Sequence, residues 1–217
     1  MTRLYGIYNS RAARTYWLAE ELGIALEVIP VIQKNKLADP LAADAPLNTG
    51  TPDFLRTAPA GFIPTLEDDG LVLHESGAIN LYLAKKHGGP LAPATLAEDA
   101  EMTMWTLYAM TSVEPPALEI TFTYRGGDQD GPVGKAVIAG ACEKLRRPLK
   151  VLDAHLAAHG HLVGDRFTVA DVTMAECLRY AEFHRAIIDE FPALAAWYDR
   201  CHARPAFAAM MAKRAAE

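Results

Sequence analysis

Cysteine is scarce and unpatterned in this chain: there are three, Cys142, Cys177 and Cys201, an odd set with no CxxC spacing. Such a set argues against a disulfide framework or a thiolate zinc site, and suits buried free thiols in a reducing compartment. Positive charge is also in the minority, with 21 Lys and Arg against 27 Asp and Glu, a net charge of −6, and no basic block that would gather phosphates. Nucleic acid is therefore not an expected partner. No uncharged apolar run reaches bilayer-spanning length, and Met1-Thr2-Arg3-Leu4 leads directly into a strand pattern without a signal peptide's apolar core. The expectation is a cytoplasmic protein without a membrane segment.

What the chain does have is enough apolar character to fold. At 217 residues, 51% of them hydrophobic, it can bury a substantial core as one large or two small domains. The stretch PAGFIPTLEDDGLVLHESGAI, residues 59 to 79, gives strand, turn, strand and helix-start signals in order. Phe62 to Leu66 reads as a short strand, Asp68-Asp69-Gly70 as a tight turn, Leu71 to His74 as the antiparallel return, and Glu75-Ser76 as a helix start. Proline lacks an N–H and belongs at a strand's edge, so Pro64 suggests that something other than a neighbouring strand faces the chain there. A ligand's backbone is one candidate if the Ile63-Pro64 bond is cis; an ordinary trans edge proline is the other. Ser76 can be a plain N-cap, yet a helix start also offers N–H groups to a carboxylate, and Glu75 beside it offers a counter-charge for an ammonium. A carboxylate and an ammonium on one carbon, followed by an extended peptide, describe glutathione.

Before this stretch, Leu4 to Tyr8 reads as a first strand, Asn9-Ser10 as a break, Arg11 to Leu22 as a helix stopped by Gly23, and Ile24 to Ile32 as a second strand. Gln33 to Thr57 is irregular, with a short helix at Pro52 to Arg56 and room for another near Lys36 to Ala43. His87-Gly88-Gly89-Pro90-Leu91-Ala92-Pro93 breaks the composition, which sets domains at 1–87 and 95–217 with a linker at 88–94. The second domain reads as helical: Leu96 to Ser112, ending before Pro115-Pro116; about Ala117 to Tyr124; and Val133 to Ala158, which Pro148 should kink or divide. Thr168-Val169-Ala170-Asp171 reads as a capping box, and Asp171→Ala should cost on the order of 1 kcal/mol or more.

The Ile-Pro step, the hairpin and the Glu-Ser pair eleven positions after Pro64 together resemble the glutathione-recognition core of the cytosolic glutathione transferases. GDRFTVADV, residues 164 to 172, is similar to that family's helix-capping motif, and FPALAAWYDRCHARPAF, residues 191 to 207, adds its Pro-then-Trp spacing. The resemblance implies an α/β thioredoxin-like domain followed by an all-α helical bundle domain, with glutathione as co-substrate and no metal. It also implies a homodimer. Ile63 and Pro64 would hold the cysteinyl backbone, Glu75 and Ser76 the γ-glutamyl end, and Lys36, Lys34 or Asn48 the glycine end.

A free thiol has a pKa of roughly 8.5, so an enzyme using it must stabilise the thiolate. The resemblance makes Ser10 the expected hydroxyl, with Arg14 four residues on, while Tyr5 on the first strand and Asn9 remain rivals. No cysteine stands at 9 to 11, which disfavours thiol-disulfide exchange. Met104, Trp105, Tyr108 and Tyr124 are candidates for an apolar second-substrate pocket, although core packing explains each equally well. His155, His159 and His161 lack a Cys or acidic ligand in the pattern and read as solvated polar residues. The function implied is addition of glutathione to a hydrophobic electrophile, or a glutathione-dependent isomerisation or dehalogenation. The alternative is a binding or assembly module of the same fold that has lost turnover.

Overall fold

The computed structural model describes residues 2–217, which form two compact units. The first runs to His87 and includes Pro205–Glu217; the second is Gly88–Arg204. The first unit is built on a four-stranded sheet of order β2-β1-β3-β4, with β1 at Arg3–Tyr5, β2 at Glu27–Ile29, β3 at Thr65–Asp68 and β4 at Leu71–His74. β1 is parallel to β2, which requires a crossover, and helix α1 (Ala13–Leu22) supplies it. The antiparallel β1–β3 and β3–β4 pairings put Leu4 opposite Leu66 and Leu66 opposite Leu73. Leu4 and Leu66 are fully buried.

Successive strand residues face opposite sides of a sheet, so Tyr5 lies away from Leu4, beside the cluster of Val31, Phe54, Ala58, Ile29, Leu47 and Ile63. Phe54 comes from the short helix α2 (Pro52–Thr57). The β3–β4 turn has two residues, Asp69 and Gly70, both at positive φ, the twist that matches a hairpin's strands. Helix α3 (Ser76–His87) follows β4 immediately. Of the irregular segment after β2, residues Lys34–Lys36 form a 3-10 turn where a longer helix had room to form. Asn48 pins that loop from within, donating from Nδ2 to the Pro40 and Pro46 carbonyls.

In the second unit, α4 (Leu96–Tyr108) does not stop before the proline pair. It passes through a π-helical turn, Ala109–Val113, directly into α5 (Glu114–Gly126). Pro115 and Pro116 sit in the first turn of α5, where no intrahelical donor is required, so they start a segment instead of ending one. Helix α6 (Pro132–His159) is continuous through Pro148. Helix α7 (Val169–Leu178) is buried along its whole length, and it is followed by a 3-10 turn (Arg179–His184), α8 (Ala186–Asp189) and α9 (Pro192–His202).

Asp171 organises the start of α7. Its Oδ2 accepts from the Thr168 N–H and hydroxyl, and its Oδ1 accepts from the Leu162 N–H and the Trp197 indole. The last helix, α10 (Pro205–Ala215), belongs with the first unit and not with the helical one. Phe207 meets Trp17 edge-on at 4.9 Å, and Lys213 pairs with Glu20. All three cysteines are buried free thiols. Among the described residues, no helix is long and apolar enough to cross a membrane.

Candidate functional site

The first unit gathers the sequence candidates at two places joined by α1. The first is the turn between β1 and α1. Ser10 Oγ donates to the Ile7 carbonyl at 2.6 Å and accepts from the Ala12 N–H at 3.1 Å, so one hydroxyl closes the turn from both sides. Gly6, at φ 145°, lets the backbone approach: a Cβ there would lie 3.0 Å from the Ala12 Cβ and 3.5 Å from the Ile63 Cβ. Ile63, whose bond to Pro64 is cis, is thereby set against the turn that holds Ser10. Tyr16 fixes the same turn from α1 by donating to the Gly6 carbonyl at 2.7 Å, and its ring stacks on Tyr8 at 4.0 Å. Burial pushes the phenols of both Tyr8 and Tyr16 upward, so both are neutral hydrogen-bonding groups.

The second place is the start of α3. Glu75 is exposed and sits at φ 68°, a left-handed conformation that is uncommon for a residue with a side chain and clusters at functional sites. Ser76 follows with its hydroxyl buried, accepting from Arg14 Nη1 at 3.0 Å. Arg14 is itself fully buried. Thr15 donates to Asn80 Oδ1 at 2.8 Å, and Asn80 returns a bond to the Arg14 carbonyl. Helix α1 thus carries the Ser10 turn at one end and is bolted through Arg14 and Thr15 to the helix that presents Glu75 and Ser76.

The other candidates divide. Lys36 Nζ reaches the Asn9 carbonyl at 3.3 Å, which brings it to the Ser10 turn. Asn48 is spent on holding its own loop, and the Lys34 side chain lies against Gly50. Tyr5 is directed elsewhere: its hydroxyl donates to Glu67 Oε2 at 2.9 Å on the neighbouring strand, its ring tilts against Phe54, and burial with that carboxylate contact raises its pKa.

Sequence patterns do not reveal the groups that cover the residues before Ser10. Arg214 donates to the Tyr8 carbonyl and Asn9 Oδ1, both at 2.7 Å, and the two oxygens of Glu217 accept from the Tyr8 and Asn9 N–H groups, each at 2.8 Å. Partners more than 200 residues apart leave no local pattern to read.

In the second unit, Trp105 meets Tyr108 edge-on at 5.5 Å and packs on His155, while Met104 is half exposed. Tyr124 belongs to a different cluster. It stacks on Phe183, bonds His184 Nδ1 at 3.1 Å, and lines a cavity of about 470 Å³ with Lys135, Ile138 and Cys142. Sixteen residues of helical chain, about 24 Å at 1.5 Å per residue, separate it from Tyr108. The four pocket candidates are therefore not one cluster within this unit. His155 Nε2 is bonded to the Leu162 carbonyl at 2.9 Å. Among the described residues, no group of three His, Cys, Asp or Glu side chains gathers as for a metal.

The comparison with known proteins agrees with this division into two units. The family model for the glutathione S-transferase N-terminal domain matches residues 1–85, and that for the glutathione S-transferase C-terminal domain matches residues 103–205. Glutathione S-transferase 3 of Zea mays is 34% identical over 220 residues, covering 94% of this chain and 90% of that protein. Human elongation factor 1-gamma is 32% identical over 167 residues, covering 74% of this chain but only 36% of its own length. Among solved structures, glutathione S-transferase III in apo form superposes with a TM-score of 0.78 at 32% identity, covering 97% of this chain and 95% of that one. Glutathione transferase F7 of Populus trichocarpa gives 0.79 at 27% identity, with 99% of each chain covered.

Proposed function

The chain belongs to the glutathione S-transferase family, and from that premise we propose that it adds the glutathione thiolate to a hydrophobic electrophile, with Ser10 as the group that stabilises the sulfur. The Ser10 turn is the observation that carries this reading. The Ala12 N–H donates to Ser10 Oγ, which polarises the hydroxyl and makes it a stronger donor. On binding glutathione, the hydroxyl proton swings from the Ile7 carbonyl to the sulfur. A thiolate that accepts this bond is stabilised over the thiol, which lowers the thiol pKa towards neutrality. The thiol proton passes to solvent, the sulfur attacks the electrophilic carbon, and with an aryl halide the C–S bond forms as the halide leaves.

Recognition follows from the same unit. Ile63 and Pro64 take the cysteinyl backbone beside the turn, and Lys36 takes the glycine carboxylate. Ser76, whose oxygen already accepts from Arg14, donates its proton to the γ-glutamyl carboxylate while Glu75 meets the ammonium. On family grounds the protein is a cytoplasmic homodimer with a detoxifying role.

Steady-state conjugation of glutathione to an aromatic halide tests this. Ser10→Ala should lower kcat/KM by about 100-fold, the scale of losing one preorganised donor, with glutathione still bound. Unchanged turnover in that variant would overturn the assignment. A second reading is favoured by the similarity to elongation factor 1-gamma: a module of this fold that binds glutathione or a protein without turnover. A folded wild type that binds glutathione but conjugates no electrophile would select it.

A further inference from the structure

The Glu217 carboxylate does something the transferase chemistry does not require. It places one oxygen on the Tyr8 N–H and the other on the Asn9 N–H, both at 2.8 Å. Two successive backbone N–H groups pointed at the two oxygens of one carboxylate make an anion-binding concavity. The concavity is built and not incidental. Arg214 pins the Tyr8 carbonyl and Asn9 Oδ1, Lys36 pins the Asn9 carbonyl, and the Tyr8 ring is stacked on Tyr16. These contacts hold both peptide planes and surround them with positive charge. Glu217 itself is exposed and lies beyond the end of α10 at Ala215. A carboxylate receptor, next in sequence to Ser10, is filled by an exposed side chain just past a helix end.

We propose that the Tyr8 and Asn9 N–H groups are a binding site for the carboxylate of an acidic electrophile, and that Glu217 is its intramolecular occupant, displaced when such a substrate binds. This rests on the transferase reading for the electrophile and on geometry alone for the carboxylate. The tethered glutamate competes as a ligand present at millimolar effective concentration, so it disfavours small acids and admits those whose remaining surface contributes further affinity. Glu217 is thus a specificity-determining residue that grades carboxylated against neutral electrophiles.

The test has two arms, both on wild type and Glu217→Gln, which keeps the shape and removes the charge. In the first, amide resonances of Tyr8 and Asn9 are followed during titration with benzoate and, separately, with benzamide. Benzoate should shift both amides and bind about three- to tenfold more tightly to the variant, while benzamide moves neither. In the second, conjugation of 4-chloro-3-nitrobenzoate is compared with that of the corresponding amide. The variant should lower KM for the acid by the same factor without a matching change for the amide.

Benzoate leaving both amides unmoved in the variant would overturn the proposal, as would equal effects on acid and amide. A lower KM for glutathione in place of the acid–amide difference would also overturn it, by giving the site to glutathione's own carboxylate. Benzoate binding without turnover of either halide would remove the transferase reading and leave the anion site standing. Turnover of the amide with no benzoate effect would do the reverse.

Discussion

Arg14 Nη1 donates to Ser76 Oγ at 3.0 Å, a contact between residues 62 positions apart that closes the first helix onto the third in a region without solvent. One hydroxyl oxygen thereby serves a structural guanidinium while its proton remains for a ligand. Ser76→Ala should therefore act twice. Glutathione affinity measured by calorimetry should fall at least about tenfold, the equivalent of roughly 1.4 kcal/mol. Thermal unfolding should show a loss of about 1.5–3 kcal/mol, because a buried cation loses an acceptor. Wild-type affinity in the variant would detach Ser76 from glutathione recognition.

Tyr5 provides the control for the sulfur assignment. Its hydroxyl proton is committed to Glu67 Oε2 on the neighbouring strand and is not directed at a thiol beside the Ser10 turn. Tyr5→Phe should keep kcat/KM for conjugation within about twofold and cost about 0.5–1.5 kcal/mol of stability. A loss of turnover as large as that of Ser10→Ala would return the chemistry to the first strand.

Asp171 carries more than the capping role its sequence motif announces. Two of its four bonds close the box with Thr168; the other two hold the Leu162 N–H and the Trp197 indole, in a site without solvent. Asp171→Ala leaves those buried donors without their acceptor at about 1–3 kcal/mol each, so the loss should exceed about 3 kcal/mol by urea unfolding. A loss below about 1 kcal/mol would mean that the surrounding structure relaxes to satisfy them.

Much of this was legible. The hairpin, the Ile63-Pro64 step and the Glu75-Ser76 start each have a local signature, because turn chemistry and helix capping act over a few residues. The helical character of the second unit was equally plain from its periodicity. What escaped was long-range or context-dependent. Pro115 and Pro116 read as a stop, but a π turn upstream turns them into the first turn of α5. Tyr124 fits an apolar face by spacing alone, yet its partner is His184, 60 residues away. The contacts of Arg214 and Glu217 with the Tyr8-Asn9 peptide connect the ends of the chain, and no window of sequence contains both.

The two units should lose stability to acid in different windows. Burial opposes ionisation of Asp68, but hydrogen bonds from Lys86, Thr2 and Tyr82 outweigh it and hold the carboxyl down at about 2. An unfolded Asp takes its proton near pH 4, so this stabilisation is complete above pH 4 and is lost as pH falls from about 4 to 2. His202 in the second unit is held down to about 4, chiefly by burial, against Glu176 and with help from Arg179. The unfolded imidazole protonates near 6.5, so this contribution drains away between about pH 6.5 and 4. Unfolding followed against pH should show Asp68→Asn flattening the lower window and His202→Gln the upper one. Identical pH profiles for variants and wild type would contradict both assignments.

Ser10 is proposed to hold bound glutathione as its thiolate, and the ultraviolet absorbance of that thiolate can be titrated against pH in the enzyme–glutathione complex. The wild-type complex should titrate at least about one unit below the free-thiol value of roughly 8.5, and the Ser10→Ala complex close to that value while still binding glutathione. The same depressed midpoint in both proteins would rule out Ser10 and place sulfur activation on another group.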